Sequence, residues 1–249
     1  MPPTAQPLAG AVIAFDLDGT LVDSAPDLVG TLNHLLGEEG IAPLPFDQGR
    51  SLIGHGARRL IQRGFEVHGL AVEGADLEAL FERFIDHYNL HSADLTRPFP
   101  GVPESLAALR AAGARLAVCT NKLTRLSTPI LDALDLSRHF DAVIGADLAP
   151  APKPDPRHLE LAVQAAGGDI RRAVMVGDAG TDAGAARAAG APLVLVSFGY
   201  TEVPAWELRP DRLIDHFDDL MPACLELLAP DGGRGDPAGP ACGAQAGRL

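Results

Sequence analysis

Five short runs of apolar, β-branched residues recur along the chain, at Ala11 to Phe15, Arg115 to Cys119, Ala142 to Gly145, Ala173 to Val176 and Leu193 to Phe198. Each reads as a buried strand. Between the later runs lie stretches with helical spacing, such as Pro103 to Ala112 and His158 to Ala166. This β-α-β rhythm predicts a mostly parallel sheet covered by helices, a Rossmann-like three-layer α/β/α core. The gap between the first two runs is far longer than one crossover needs. From Ser24 to Thr96 it carries helix patterns and no convincing strand: Leu28, Leu32, Leu35 and Leu36 share one face, as do Leu77, Leu80, Phe81, Phe84 and Ile85. Such stripes predict a small inserted helical domain with its own core. Arg97-Pro98-Phe99-Pro100-Gly101 then breaks any helix and marks the return to the main domain. The expected layout is a core from residues 1–23 and 97–228, a helical insert at 24–96, and a tail at 229–249. That tail is rich in Gly and Pro and poor in large apolar groups, so burial cannot offset its ordering entropy, and disorder is expected.

Composition narrows the function classes. At 249 residues, with 47% hydrophobic and 21% charged positions, the chain can bury a core without disulfide or metal staples. No apolar run approaches the ~20 residues of a membrane span. The N-terminal Met1-Pro2-Pro3-Thr4-Ala5-Gln6 has no basic residue ahead of the apolar strand, unlike a secretory signal, and a cytoplasmic protein is expected. Cys119, Cys224 and Cys242 are widely spaced and form no C-x-x-C pair, which argues against a disulfide framework or zinc site. The net charge of −13, without any Lys/Arg cluster, repels polyanions and argues against nucleic acid. A phosphorylated partner would have to be a small metabolite drawn into a cleft by a metal ion and a few placed cations. The expected assembly is a monomer or homodimer.

The candidate chemistry sits at the ends of the predicted strands. The first ends in Asp16-Leu17-Asp18-Gly19-Thr20. Two carboxylates this close raise one another's pKa and repel unless a cation lies between them, and carboxylate oxygens are the ligands Mg²⁺ prefers. Alone, such a pair reads equally well as an acidic loop capping a helix. A second pair, in Gly177-Asp178-Ala179-Gly180-Thr181-Asp182, follows the fourth run, and ligands of open α/β sheets bind beyond such ends. Were those two strands neighbours, Asp16, Asp18 and Asp178 would converge on one ion, with Asp182 in support. Thr120 and Asn121 after the second run offer a hydroxyl, an amide and backbone donors to a phosphate, and Lys153, between Pro152 and Pro154, offers a fixed cation. Taken singly, Thr120 reads as a helix N-cap and Lys153 as a solvated surface charge. The ordered set is what chance does not supply.

These four pieces, in this order from Ala11 to about Leu228, resemble the four motifs of the haloacid dehalogenase superfamily, and the insert resembles the helical cap of its first cap class. Phe99-Pro100-Gly101-Val102, Thr120-Asn121-Lys122, Lys153-Pro154-Asp155-Pro156 and Phe198-Gly199-Tyr200 further resemble the phosphoglycolate phosphatase branch. The resemblance implies a Mg²⁺-dependent phosphatase with Asp16 as nucleophile, forming an aspartyl-phosphate, and Asp18 as acid and base. It implies a metal held by Asp16, the backbone carbonyl of Asp18 and Asp178, with Lys153 and Thr120 on the phosphate. An acid at position 18 argues for phosphoryl transfer, since the superfamily's dehalogenases lack one. Many relatives carry serine where Ala179 stands, so one hydrogen bond to the site is absent or replaced. Leu52-Ile53-Gly54-His55-Gly56-Ala57 resembles the glycine-rich loop that faces substrate, which makes Gly54 and His55 candidate contacts, with Arg58 nearby. The first expected substrate is 2-phosphoglycolate. A sugar phosphate such as an amino-sugar 6-phosphate is the alternative, and a non-catalytic metal-binding regulator is the rival from another class.

Overall fold

The computed structural model describes residues 6–54, 56–201 and 203–229; the predicted tail, beyond Ala229, and His55 lie outside them. The chain opens with β1 (Val12–Phe15) and a two-residue strand β2 (Val22–Asp23). Four helices follow: α1 (Ala25–Glu38), α2 (Phe46–Arg50), α3 (Ala57–Val67) and α4 (Gly74–His91). Next come β3 (Arg97–Pro98), α5 (Val102–Ala111), β4 (Arg115–Cys119), α6 (Thr124–Ala133) and β5 (Ala142–Ile144). The chain continues through α7 (Pro156–Ala165), β6 (Ala173–Gly177), α8 (Gly180–Ala189), β7 (Leu193–Val196), β8 (Arg212–Ile214) and α9 (Leu220–Leu227).

Six strands form one parallel sheet in the order β5-β4-β1-β6-β7-β8. All four β1 residues are buried, so their side chains alternate between two cores. Ile13 and Phe15 pack with Leu106 and Leu109 of α5 and Leu126 and Ile130 of α6, whereas Val12 and Ala14 pack with Leu159 and Val163 of α7 and Ala186 of α8. Helices therefore cover both faces, as the continuous apolar runs require. The three-layer α/β/α class expected from those runs is the observed one. All five predicted strands form, and the structure adds a sixth, β8, at one edge.

Helices α1, α3 and α4 pack on one another through Leu32, Leu36, Ile61, Phe84, Ile85 and Tyr88, all but excluded from solvent and continuous with the apolar cluster that holds Ile13 and Phe15, so the insert shares a core with one face of the sheet. Gly64 lets α3 approach α1 closely: a Cβ there would lie 2.7 Å from a Leu32 methyl. Both connections between this helical unit and the sheet run side by side, because β2 and β3 pair antiparallel, Val22 opposite Pro98 and Asp23 opposite Arg97. The segment read as a helix breaker is thus also half of a ribbon.

Asp27 fastens that ribbon. Its buried carboxylate accepts from the backbone N–H groups of Leu95 and Thr96 at 3.0 and 2.8 Å and from the Thr96 hydroxyl at 2.7 Å. Asp27→Ala leaves the two buried Thr96 donors without a partner, and should lower unfolding free energy by about 2–4 kcal/mol. Urea melts of the variant and wild type read the difference directly.

Candidate active site

Strand order brings the four motif segments together. Strand β1 lies between β4 and β6, with Phe15 opposite both Val118 and Val176, so Asp16, Thr120 and Asp178 all emerge at the same carboxyl edge. The backbone N–H of Asp16 extends the ladder to the Val176 carbonyl at 2.9 Å. The adjacency of the first and fourth predicted strands, on which convergence depended, is therefore present. Gly19, at φ 82°, makes the turn behind Asp18, and a Cβ at this position would stand 2.5 Å from the Asp178 carboxylate. Only glycine meets both the left-handed backbone and the close approach.

Asp16, Asp178 and Asp182 each bring a carboxylate oxygen within 4.8 Å of the others. One cation answers them: the Lys153 ammonium, fully buried, lies 2.6 Å from Asp182 and 3.1 Å from Asp16. Burial alone would lower the lysine's pKa, but the Asp16 and Asp182 charges hold it well above its usual value. Asp16 is pushed up to about 6, first by burial, then by the Asp182 and Asp18 charges, with Lys153 opposing. Asp178 is raised well above the ordinary range, by burial first and then by its two acidic neighbours. Three carboxylates against one ammonium leave negative charge in excess, in a cluster made of hard oxygen donors. That is the environment a divalent oxygen-seeking cation fits.

Asp182 sits at the start of α8, where its Oδ2 accepts from the backbone N–H groups of Asp178 and Ala179 at 3.2 and 3.1 Å. With alanine at the N-cap only this half of a capping box forms. Asp182 thereby orients the loop that presents Asp178. The remaining Asp178 contacts come from the Thr20 hydroxyl at 3.0 Å and the Tyr200 backbone N–H at 2.6 Å.

The other acid of the first motif goes elsewhere. The Asp18 side chain leaves the cluster, accepting from Ser24 Oγ at 2.6 Å and from Lys122 Nζ at 2.9 and 3.0 Å, one distance to each oxygen.

Comparison with known proteins gives the family of the chain. Residues 11–190 match the family model described as haloacid dehalogenase-like hydrolase. The chain belongs to the haloacid dehalogenase-like hydrolase family. Phosphoglycolate phosphatase of Caulobacter vibrioides is 58% identical over 225 residues, covering 90% of this chain and 95% of that protein. Its counterpart in Agrobacterium fabrum is 47% identical, covering 92% and 98%. The crystal structure of a predicted phosphoglycolate phosphatase from Haemophilus somnus superposes with a TM-score of 0.80 at 31% identity, covering 87% of this chain and 98% of that one.

In this hydrolase the motif residues floor a cavity of about 430 Å³, roofed by Ile53, Phe81, Phe84 and Tyr88. Thr120, Lys153 and Gly54 all line it. Thr120 is no helix N-cap, since α6 begins four residues later; its Oγ1 accepts from the Lys122 backbone N–H, leaving its own hydroxyl proton free to donate. Nor is Lys153 a solvated surface charge. The Asn121 amide, expected at the phosphate, lines the cavity and also grips the Lys153 backbone, accepting from its N–H at 2.8 Å and donating to its carbonyl at 3.0 Å. It positions the lysine's backbone. Arg58 lines the cavity but is paired with Glu78 at 2.8 Å and lies over the Phe81 ring.

Several residues of the site carry no sequence signal of their own. Lys122 was visible only as part of a motif. Tyr88 is one more apolar position on the α4 stripe, and Ser24 reads as an ordinary helix-start residue. Tyr200 joins the Asp178 loop to the ribbon, donating from its hydroxyl to Asp23 at 2.5 Å and accepting from the Ala25 N–H at 3.0 Å.

Proposed function

We propose that this hydrolase cleaves a small phosphomonoester, with 2-phosphoglycolate the first candidate, by attack of Asp16 on phosphorus. The observation that carries the reading is the cluster of Asp16, Asp178, Asp182 and Lys153, largely withdrawn from solvent, at the floor of a cleft that the helical insert partly covers. The choice of ester follows the names of the two relatives above. Residues 24–96 act as a cap over a core of 1–23 and 97–228, and the protein works in the cytoplasm.

An Asp16 oxygen bonds to phosphorus as the ester P–O bond breaks, and the leaving alkoxide takes a proton from Asp18. Asp18, now a carboxylate, takes a proton from water whose oxygen bonds to phosphorus, and the Asp16–phosphorus bond breaks to release orthophosphate. Lys153 keeps Asp16 aimed and meets the phosphate oxygens, with the Thr120 hydroxyl as a second donor. Asp16, Asp178 and the Asp18 carbonyl would hold Mg²⁺, which when bound would supply charge neutralisation between anionic nucleophile and anionic phosphate. The roof of Phe81, Phe84 and Tyr88 excludes bulk water.

Phosphate release is the direct test, measured with Mg²⁺ or EDTA across 2-phosphoglycolate, sugar phosphates including an amino-sugar 6-phosphate, pyrophosphate and p-nitrophenyl phosphate. Preference for another ester would keep the chemistry and replace the substrate. No release from any would favour a metal-binding regulator.

The cluster also predicts a pH dependence. Asp16 moves from 3.8 to about 6 on folding, and Asp178 moves in the same direction. A raised carboxylate pKa costs stability as pH climbs from the unfolded value through the folded one, and the cost is complete above it. Well below the unfolded value of 3.8 both states are protonated and the cost vanishes. Free of metal, the protein should therefore lose stability from Asp16 as pH rises from about 3.8 through about 6, with Asp178 adding a loss of the same sign. Mg²⁺ needs the ionised carboxylates, so it should raise Tm clearly at pH 7.5 and much less at pH 5. Thermal melts in EDTA and in Mg²⁺ at the two pH values would show an equal shift if the cluster did not bind the ion.

A further inference from the structure

We infer that Lys122 is a positioning residue for Asp18, anchored to the cap through Tyr88, and that it acts on the step in which the leaving group departs. The inference rests on the reading of Asp18 as the proton donor.

The geometry leaves Lys122 little other work. Its side chain is only 6% exposed, and its ammonium meets three acceptors: Asp18 Oδ1 at 3.0 Å, Asp18 Oδ2 at 2.9 Å and Tyr88 Oη at 2.9 Å. An ammonium has three protons, so these acceptors saturate it and none remains for a substrate oxygen. A lysine that recognised phosphate would keep a proton directed at the cavity. Lys153, 3.1 Å from Asp16, is the cation placed for that task.

The partners come from different parts of the chain. Lys122 follows β4 and Asp18 follows β1, both in the core, whereas Tyr88 lies on α4 in the cap, fully buried and stacked on Phe84 with centroids 5.9 Å apart. Asp18 has one further side-chain tie, the Ser24 hydroxyl at the entry to α1. The orientation of Asp18 is thus set between the floor and the roof. Tyr88 in place completes the shell of the ammonium that holds Asp18; with Tyr88 displaced the ammonium lacks an acceptor and is free to turn. Proton delivery becomes efficient only when the roof is over the substrate, which limits discharge of the site while it is open to water.

The signature of this role is dependence on the leaving group. An alkoxide needs the proton, whereas p-nitrophenolate leaves without it, and kcat/KM reports the steps up to and including that departure. Lys122→Met is expected to lower kcat/KM for 2-phosphoglycolate about 100-fold and for p-nitrophenyl phosphate less than about fivefold, the same selective pattern as Asp18→Asn. Tyr88→Phe keeps the ring and its packing, and should shift the ratio of the two substrates in the same direction by about five- to tenfold. In the Lys122→Met background it should add nothing, because both act through one carboxylate. The inhibition constant of orthophosphate should stay within about twofold in every variant, since the phosphate subsite is untouched.

Equal losses on the two esters would overturn the inference, as would a large rise in the orthophosphate constant or additive effects of the two substitutions. If Lys122→Met does not fold, the substrate ratio of Tyr88→Phe decides alone. Wild-type turnover of both esters alongside equal mutant losses sinks this inference and leaves the phosphatase reading intact; absence of wild-type turnover sinks both.

Discussion

Asp16→Asn should abolish phosphate release, by at least about 10⁴-fold, and at the same time make the metal-free protein more stable. The loss follows from chemistry: the amide fills the same volume but is not a nucleophile, so no aspartyl-phosphate forms, and acid-quenched protein incubated with ³²P-labelled substrate should carry no label. The gain follows from electrostatics. Folding raises the pKa of Asp16 to about 6 through burial and the Asp182 and Asp18 charges, so at pH 7.5 its charge is a load on the native state. A neutral side chain removes that load and should add about 1–3 kcal/mol to the unfolding free energy in EDTA. Functional sites commonly hold such charges against the interest of stability. Urea melts with and without Mg²⁺ separate the two effects: in Mg²⁺ the advantage should shrink, because the wild-type carboxylate then has a use for its charge. A variant that is inactive and also clearly less stable in EDTA would mean that Asp16 is structural.

What the chain made legible, and what it hid, divides along physical lines. Strands β1, β4, β6 and β7 are buried on both faces, so a solid apolar run marks each one, and the acidic or polar residues that follow stand out by contrast. The amphipathic stripes of α1 and α4 were legible for the related reason that one face has a core to fill. Strand β8 was not, because it is three residues at the sheet's edge, includes Arg212, and leaves Leu213 exposed. The ribbon of β2 and β3 was hidden by its length, since two residues have no period. Spatial adjacency was the larger blind spot. That Asn121 would grip the Lys153 backbone, or that Tyr88 would meet Lys122, depends on how two loops and a helix pack, and neither pairing leaves a trace in local pattern. Chemistry carried by residue type at strand ends could be read; chemistry carried by contacts between segments had to be seen.

Lys153→Met should cost about 3–5 kcal/mol of stability in EDTA, because it removes the single ammonium from between the buried Asp182 and the largely buried Asp16 carboxylates. Methionine keeps most of the unbranched stem, so the loss reads the charge and not the packing. Turnover should fall by about 10³-fold, the scale expected when a cation that holds the transferring phosphate is lost. The two losses respond differently to metal. Mg²⁺ at saturating concentration should recover part of the stability, since a divalent ion relieves the same repulsion between Asp16 and Asp178 that Lys153 relieves between Asp16 and Asp182. It should recover none of the turnover, because it leaves the phosphate without the donor that Lys153 supplies at the floor of the cavity. Retention of activity within tenfold would remove Lys153 from the site. Recovery of both properties by Mg²⁺ would reduce it to a counter-charge for the acidic cluster, and the lysine's burial against Asp16 and Asp182 would then be a matter of folding alone.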